Sequence, residues 1–460
     1  MAISGATPNS LSSLDATLKI QYYINEMMLE QFLNYSAAYD LFKKGGEGSI
    51  SKQSDGGLKF YYPLKRSGEA GVGTRGDLKV LPNAQAMSWT SFEGKLYNVY
   101  MRGEWSGVAD EITRDSKFAY GNPTKAQVHK ELPKAFSVLF GQMFHRDGTG
   151  AMARVNGAPA GNTLTVYGNH LTSSGYTFAT DHMRYRLPLS AWEATTRAQA
   201  LTEGFIAAEW TASTTVNSYP QIGDLTVDVA SSTNILDGYY LTVQVNDDGA
   251  GAGESPGNNN TLGGANQFQL EYTGLGAHIT NNAGATVHNI LKSAANQFWR
   301  PATIVGSEGS ATAFSWLSHV LVPLRSIENR IGTDRMGSDY ICMTRPEMMD
   351  RISTEFDGTI RGSMGEFDKA YGYKTLKAQR AGVECKFYSD PHAPGGCLRF
   401  IDKRVLVWQE TRGPHVMSGD GLEDRMLTDK DAYQTGYRWI GDLACVNPGG
   451  LAAVYGLSST

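Results

Sequence analysis

Apolar side chains recur at helical spacing along one stretch of the chain. Between Asn122 and Gly150 they fall at Val128, Leu132, Ala135, Phe136, Leu139, Phe140 and Met143. These three-and-four intervals put one wide stripe on one side of an α-helix. Lys130, Lys134 and Gln142 take the opposite side. Asn122-Pro123 starts such a helix well, because the Asn side chain accepts from a free N–H and proline needs no partner in the first turn. Asp147-Gly148 ends it, since glycine adopts the left-handed conformation without a Cβ penalty. The spacing predicts a helix within 122–148, of roughly 24 residues and 36 Å at ~1.5 Å per residue. Pro133 in its interior deletes the hydrogen bond to the carbonyl of His129, so a bend is expected there. Such a bend either curves a core helix around its domain or matters mechanically, and periodicity does not choose between the two.

The flanking patterns differ. Residues 1–13 are small and polar and read as an arm. Leu18, Tyr22, Ile24, Met28, Phe32 and Leu33 predict an amphipathic helix over Leu14–Phe42, packed on a neighbouring chain or on its own body. In 45–82, Leu58, Phe60 and Tyr62 alternate with Lys59 and Tyr61, a glycine-rich tip follows, and Asp77–Leu81 resumes. That is a long β-hairpin with too few apolar residues to bury itself, expected to project onto something else. Sheet is predicted over 86–109, and again at Ala151–Val155 and Asn162–Tyr167, which places the helix across a sheet.

From Thr202 to His288, strand-like runs at Leu225–Val229, Tyr239–Val245 and Gln267–Tyr272 surround a polar loop at 246–260, suggesting a small inserted β-domain. A helix over Ala311–Ile331 with Phe314, Leu317, Leu321, Leu324 and Ile327 on one face follows. Then come a strand at Tyr340–Met343, a short helix from Pro346, and strands at Val383–Tyr388, Leu398–Ile401 and Arg404–Trp408. The last run, from Ala432 to Leu457, alternates again. Helices on a mixed sheet with β appendages make an α+β chain.

Composition narrows this picture. The 460 residues carry 52 glycines and a formal net charge of −5, which argues against a surface that binds nucleic acid all over and leaves room for one basic face. Between Lys43 and Lys79, eight Lys/Arg stand against four acidic residues. Cys342, Cys385, Cys397 and Cys445 lack CxxC spacing, so reduced thiols are expected. The N-terminal residues do not resemble a signal peptide, and no run of 18 apolar residues predicts a membrane span.

Candidate chemistry is sparse. Gly71–Gly76 matches GxGxxG, but a strand and Pro82 follow where a dinucleotide site needs a helix. Asp247, Asp248 and Glu254 lack the spacing of a calcium loop. His392 near Cys385 and Cys397 is flanked by prolines and reads as a turn histidine rather than a metal ligand. Asp147 is explained by the helix-ending turn. Neither an enzyme nor a cofactor nor a metal is expected.

The order of elements is the informative signal. An early helix precedes a basic glycine-rich hairpin, a sheet, and a long helix closed by Phe144-His-Arg-Asp-Gly-Thr-Gly-Ala-Met-Ala153; a second domain and C-terminal return strands follow. This resembles the HK97-type major capsid proteins of tailed double-stranded-DNA bacteriophages. Asp147–Gly150 looks like that family's turn after the spine helix, and Asp390–Gly396 followed by Leu398–Asp402 looks like its axial-domain hairpin. The resemblance implies an N-terminal arm at 1–43, an extended loop at 44–84 and a peripheral domain at 85–201 with its spine helix at 122–148. It further implies an inserted β-rich domain at 202–290, an axial domain at 291–425, and return strands to the peripheral domain at 426–460.

The resemblance also implies a structural role. Hexamers and pentamers would form an icosahedral shell assembled in the bacterial host cytoplasm, with a separate scaffolding protein, a portal and possible cement or decoration proteins as partners. Packaged double-stranded DNA would be held without sequence reading. Lys65, Arg66, Arg75 and Lys79 are candidates for the intersubunit loop, Pro133 for the spine-helix bend, and Lys19, Lys43 and Lys44 for a DNA-facing arm. Crosslinking is not predicted, because no partner for a loop lysine is marked. The rival readings are a tail or head-decoration protein, and a secreted carbohydrate-binding protein.

Overall fold

The computed structural model describes residues 10–11, 36–43, 51–53, 59–65, 77, 89–108, 123–172, 177–183, 189–193, 199–201, 205–212, 218–219, 221–228, 235–243, 271–281, 285–306, 309–331, 340–359, 376–380, 383–417, 424–427 and 431–458. Pro123–His145 form one helix that contains Pro133. Phe136, Phe140, Met143 and Phe144 are buried along it. Ala135, which the spacing places on the stripe, is exposed; a methyl group at the stripe's edge gains little from burial. The helix stops after His145, and Gly148 takes a φ of 79°. The Asp147 carboxylate accepts from the Thr149 backbone N–H at 3.0 Å, so a side chain and a glycine share the turn.

The helix crosses a six-stranded sheet, and not the strands that follow it in sequence. The strand order is Ser10–Leu11, Tyr97–Ser106, Ala432–Cys445, Leu406–Val416 and Ser51–Gln53, with Asp424–Met426 also paired to the 432–445 strand. Register runs antiparallel from Ala432↔Ser106 to Gly441↔Tyr97. The Phe140 ring lies 5.1 Å from Trp408, 4.9 Å from Trp439 and 5.0 Å from Tyr272. Phe136 meets Tyr437 edge-on at 5.0 Å. Burying one such ring contributes about 1.5–3 kcal/mol, and the contact of paired aromatic edges and faces adds to it.

A second six-stranded sheet is ordered Thr303–Gly306, Leu451–Tyr455, Leu398–Asp402, Tyr340–Thr344, Val383–Ser389 and Leu376–Arg380. Its core includes Leu324 and Ile327 from the helix Val322–Ile331 and Met348 and Ile352 from the helix Pro346–Thr359. The expected hairpin around 390–396 does not form. Tyr340–Thr344 lies between the two strands, parallel to one and antiparallel to the other, because a strand buried at every residue belongs in the middle of a covered sheet. The strand expected at 404–408 starts at Leu406, after a 3-10 turn at Lys403–Val405, and crosses to the first sheet. The helix expected from Ala311 begins at Trp316. Leu317, assigned to its apolar face, is 67% exposed, and Val320 is buried instead. The C-terminal strands divide between the two sheets, 432–445 in the first and 451–455 in the second.

A third unit holds two small sheets. One is ordered Gln199–Leu201, Leu189–Trp192, Tyr240–Val243 and Ala151–Arg154; the other is Phe205–Ala212, Ile222–Asp228 and Thr163–Tyr167. Together they enclose Met152, Leu164, Val166, Leu189, Ile206, Leu225 and Leu241. The β-unit anticipated at 202–290 therefore draws in 151–167, whose alternating strand pairs with 222–228. It excludes Tyr272, which is not in a strand and donates its hydroxyl to the Phe140 carbonyl at 2.5 Å in the main core. The polar loop at 246–260 lies outside the described residues.

Candidate assembly surfaces

Lys59–Lys65 pairs antiparallel with Trp89–Lys95, in register from Lys59↔Lys95 to Lys65↔Trp89. The return strand expected at 77–81 lies outside the described residues except for Asp77, an exposed turn residue. The partner strand is the later segment because it carries Phe92 at the right alternation. That ring stacks on Tyr62 at 4.9 Å and lies 5.1 Å from Trp299. The hairpin's base is thus anchored, with Phe60 and Phe92 buried beside Leu96 and Ile290, where composition had suggested it could not bury itself. Its other face shows Tyr61 at 60% and Trp89 at 62% exposure.

Of the four candidate loop residues, Lys65 is placed through its backbone opposite Trp89. Arg66, Arg75 and Lys79 lie outside the described residues, as do Lys19, Lys44 and the GxGxxG-like tip. Lys43 ends the helical turn Tyr39–Lys43. That turn packs on its own body: Phe42 stacks on Phe144 at 4.8 Å, and its carbonyl accepts from Trp408 Nε1 at 3.2 Å. The Ala38 N–H donates to Asp390 Oδ2 at 2.7 Å. Pro133 is partly buried within the long helix, one turn after His129. His129 Nε2 lies 2.7 Å from Asp424 Oδ1.

Sequence reasoning missed the polar cluster where the long helix, the second sheet and the β-unit meet. His145, Arg146, Asp147, His182, Glu271, Asp390, His392 and Arg399 are all buried. Arg146 forms an ion pair with Glu271 and donates from Nε to His182 Nδ1 at 3.2 Å. Arg399 donates to the His145 carbonyl and to Thr177 Oγ1, both at 2.7 Å. The same guanidinium faces His145 Nδ1 at 3.4 Å, which leaves Nε2 to carry the proton and point at Asp390 Oδ2, 3.3 Å away. Burial pushes His145 and His182 below the ordinary imidazole value, so both stay neutral. Burial would raise Asp390, but hydrogen bonding from His145 and the His392 amide outweighs it and holds the carboxyl low. The available signal was Phe144-His145-Arg146-Asp147, polar side chains where the apolar stripe should continue.

A second buried cluster fixes the segment 271–292. Asp442 accepts from the Thr273 N–H at 2.7 Å. Lys292 Nζ donates to the carbonyls of Ala277, His278 and Thr280 at 2.8, 2.7 and 2.8 Å, capping the end of the helix Leu275–Ile279. Burial lowers this ammonium to about 7. The four cysteines are free and buried, and burial raises the thiols of Cys342 and Cys385. Among the described residues no group of three or more His, Cys, Asp or Glu is placed to hold a metal ion, and no helix is long and apolar enough to cross a membrane. These clusters tie units together by charge-assisted hydrogen bonds, a mechanical task.

No protein-family profile matches this chain, and neither does any curated protein sequence. Solved structures do match. A chain of the cyanophage A-1(L) capsid asymmetric unit aligns with a TM-score of 0.54 at 11% identity, over 97% of this chain and 100% of that one. The capsid of a native GTA particle computed with C5 symmetry aligns at 0.42 and 8% identity, over 95% and 96% of the two chains. The capsid of Myoviridae phage XM1 aligns at 0.41 and 8% identity, over 94% and 95%. The assignment rests on the first of these, which spans both chains nearly end to end: the chain has the fold of a phage capsid protein.

Proposed function

We propose that this chain is a major capsid protein, whose copies assemble as hexamers and pentamers into the icosahedral shell around a phage's double-stranded DNA. The observation that carries the reading is the end-to-end agreement in fold with a cyanophage capsid chain, at a TM-score of 0.54. The HK97-type plan is part of the proposal: an arm at 1–43, a loop that extends past 84 to the strand Trp89–Lys95, a spine helix over 122–148, an axial domain centred on the second sheet, and a β-rich insertion. A shell subunit spreads thinly and completes its burial on its neighbours. The hairpin face with Tyr61 and Trp89 fits that role, since two large rings stand exposed on it beside the charged pair Lys59–Glu93 and its base is anchored. Arm residues Lys19, Lys43 and Lys44 would meet DNA without reading sequence. A scaffolding protein, a portal and a decoration protein complete the expected partners. The role is structural and not enzymatic.

The test is expression of the chain with and without its neighbouring open reading frames, followed by negative-stain electron microscopy of the sedimenting fraction. Closed shells of uniform diameter are the expected result. Soluble monomers in both preparations would overturn the reading in favour of a tail or decoration component.

A further inference from the structure

The face of the first sheet that points away from the long helix is ordered in rows by strand register. Trp105, Tyr433 and Asp424 turn toward the helix, where Trp105 and Asp424 meet His129. Their neighbours in sequence must therefore turn the other way. One row holds Arg425, Gln434 and Glu104; the next holds Gly436 and Arg102; the next, His415, Arg438 and Tyr100; and the last, Arg412, Ile440 and Asn98. Ile440 is covered by the hairpin base, while Arg102, Arg412 and Arg425 are exposed. Four arginines and a histidine thus share one face with two carboxylates among the described strand residues, Glu104 and the buried Asp442, which is taken up by Thr273, in a chain whose formal net charge is −5.

A cavity of about 60 Å³ opens in the middle of this face, lined by Arg102, Met417, Arg425, Gln434, Thr435 and Gly436. Gly436 makes it possible. A Cβ there would stand 2.8 Å from Met417 Sδ, so any side chain at this position would crowd the notch that Arg102 and Arg425 also line. The space is of the order of a few water molecules, too small for a nucleobase with its sugar. Beside it, Arg438 Nε is buried without a hydrogen-bond partner among the described residues.

We propose that this notch receives a phosphate oxygen group of duplex DNA, with Arg102 and Arg425 closing on it from two sides, so that this face of the sheet lines the interior of the shell. The inference rests on the capsid reading for its ligand. Planar guanidinium forks suit phosphate oxygens, and a row of them follows a backbone without reading bases. It moves the main DNA contact from the lysines of the arm to the sheet.

The experiment uses the full chain and a fluorescent 30-base-pair duplex of mixed sequence, with affinity measured across a salt series. Arg102→Gln combined with Arg425→Gln is expected to weaken binding at least tenfold at low salt and to lower the slope of log affinity against log salt by about 1.8, two phosphate contacts' worth. Arg102→Lys with Arg425→Lys should keep most of the slope. Arg325→Gln, which removes an exposed charge from another unit, should change neither. Gly436→Val should weaken binding with every charge retained. A thermal midpoint within a few degrees of the parent shows that each variant folds. An unchanged slope in the Gln double variant overturns the proposal. So does a variant that binds DNA normally but no longer assembles, because the face would then contact a neighbouring copy. If the parent forms no shells yet binds DNA with a slope that the double variant loses, the notch stands and the capsid reading falls.

Discussion

Glu271 and Arg146 show how much one buried charge matters here. Both side chains are 1% exposed, so neither charge is hydrated and each depends on the other. Glu271→Gln should destabilise the fold by roughly 3–5 kcal/mol, because it leaves a guanidinium buried without its counter-charge. The double variant with Arg146→Met should recover much of that in chemical denaturation. If the two single losses simply add, the pair is not coupled. His288 offers a pH test. It and Asn289 have φ values of 49° and 64°, the two left-handed residues of a tight hairpin turn between Thr286–Val287 and Ile290–Leu291. Burial lowers the imidazole to about 4. Because the folded value lies below the unfolded one of about 6.5, its contribution is complete above pH 6.5 and is lost as pH falls toward 4. Burial raises the nearby Asp442 carboxyl, which acts in the opposite sense, with stability lost as pH rises. The comparison that isolates the histidine is parent against His288→Asn, which keeps a residue tolerant of the left-handed turn. The stability difference favouring the parent should shrink by up to roughly 3 kcal/mol between pH 7 and 4, and a flat difference would show that His288 is not held neutral.

Among the elements, the long helix carries the most consequence. It presents Phe136, Phe140, Met143 and Phe144 to the sheet and then ends in the cluster of His145, Arg146 and Asp147. Any movement of this helix must therefore disturb both the aromatic core and the junction with the β-unit. Pro133 removes one backbone hydrogen bond at a point where the side chains are only partly buried. We expect Pro133→Ala to stiffen the helix and raise the thermal midpoint of the subunit and, if shells form as proposed and this helix bends as they expand, to slow that expansion followed by light scattering. Unchanged expansion kinetics would remove the proline from the mechanism and leave it as a feature of a curved core helix.

For the whole molecule, the capsid reading proposed above puts the stability of the subunit and that of the assembly in different places. The hairpin's inner face is fixed to the body through Phe60, Phe92 and Trp299, while Tyr61 and Trp89 face outward. Tyr61→Ser with Trp89→Ser should leave the subunit's own unfolding within about 0.5 kcal/mol of the parent, as exposed substitutions do. The same change should cut the yield of sedimenting shells severalfold. Normal shell yield would place the subunit contact elsewhere.

Periodicity in the sequence specified the strongest elements and their order, while it misplaced the start of the helix expected from Ala311 and the strand expected to end at Tyr272. It located the long helix, because apolar residues at three-and-four spacing have only one way to share a face, and it located the alternating strands. The order of arm, hairpin, helix and return strands carried the resemblance to a capsid fold. What only tertiary structure decided was pairing between distant segments. Alternation tells which face of a strand is buried and not which strand lies beside it, so the pairing of Lys59–Lys65 with Trp89–Lys95 was not foreseen and the turn at 390–396 lost its hairpin. The polar junction and the arginine face were hidden for the same reason. His145, Glu271, Asp390 and Arg399, like Arg102, Arg425 and Gly436, are far apart in the chain and acquire meaning only when folding sets them side by side.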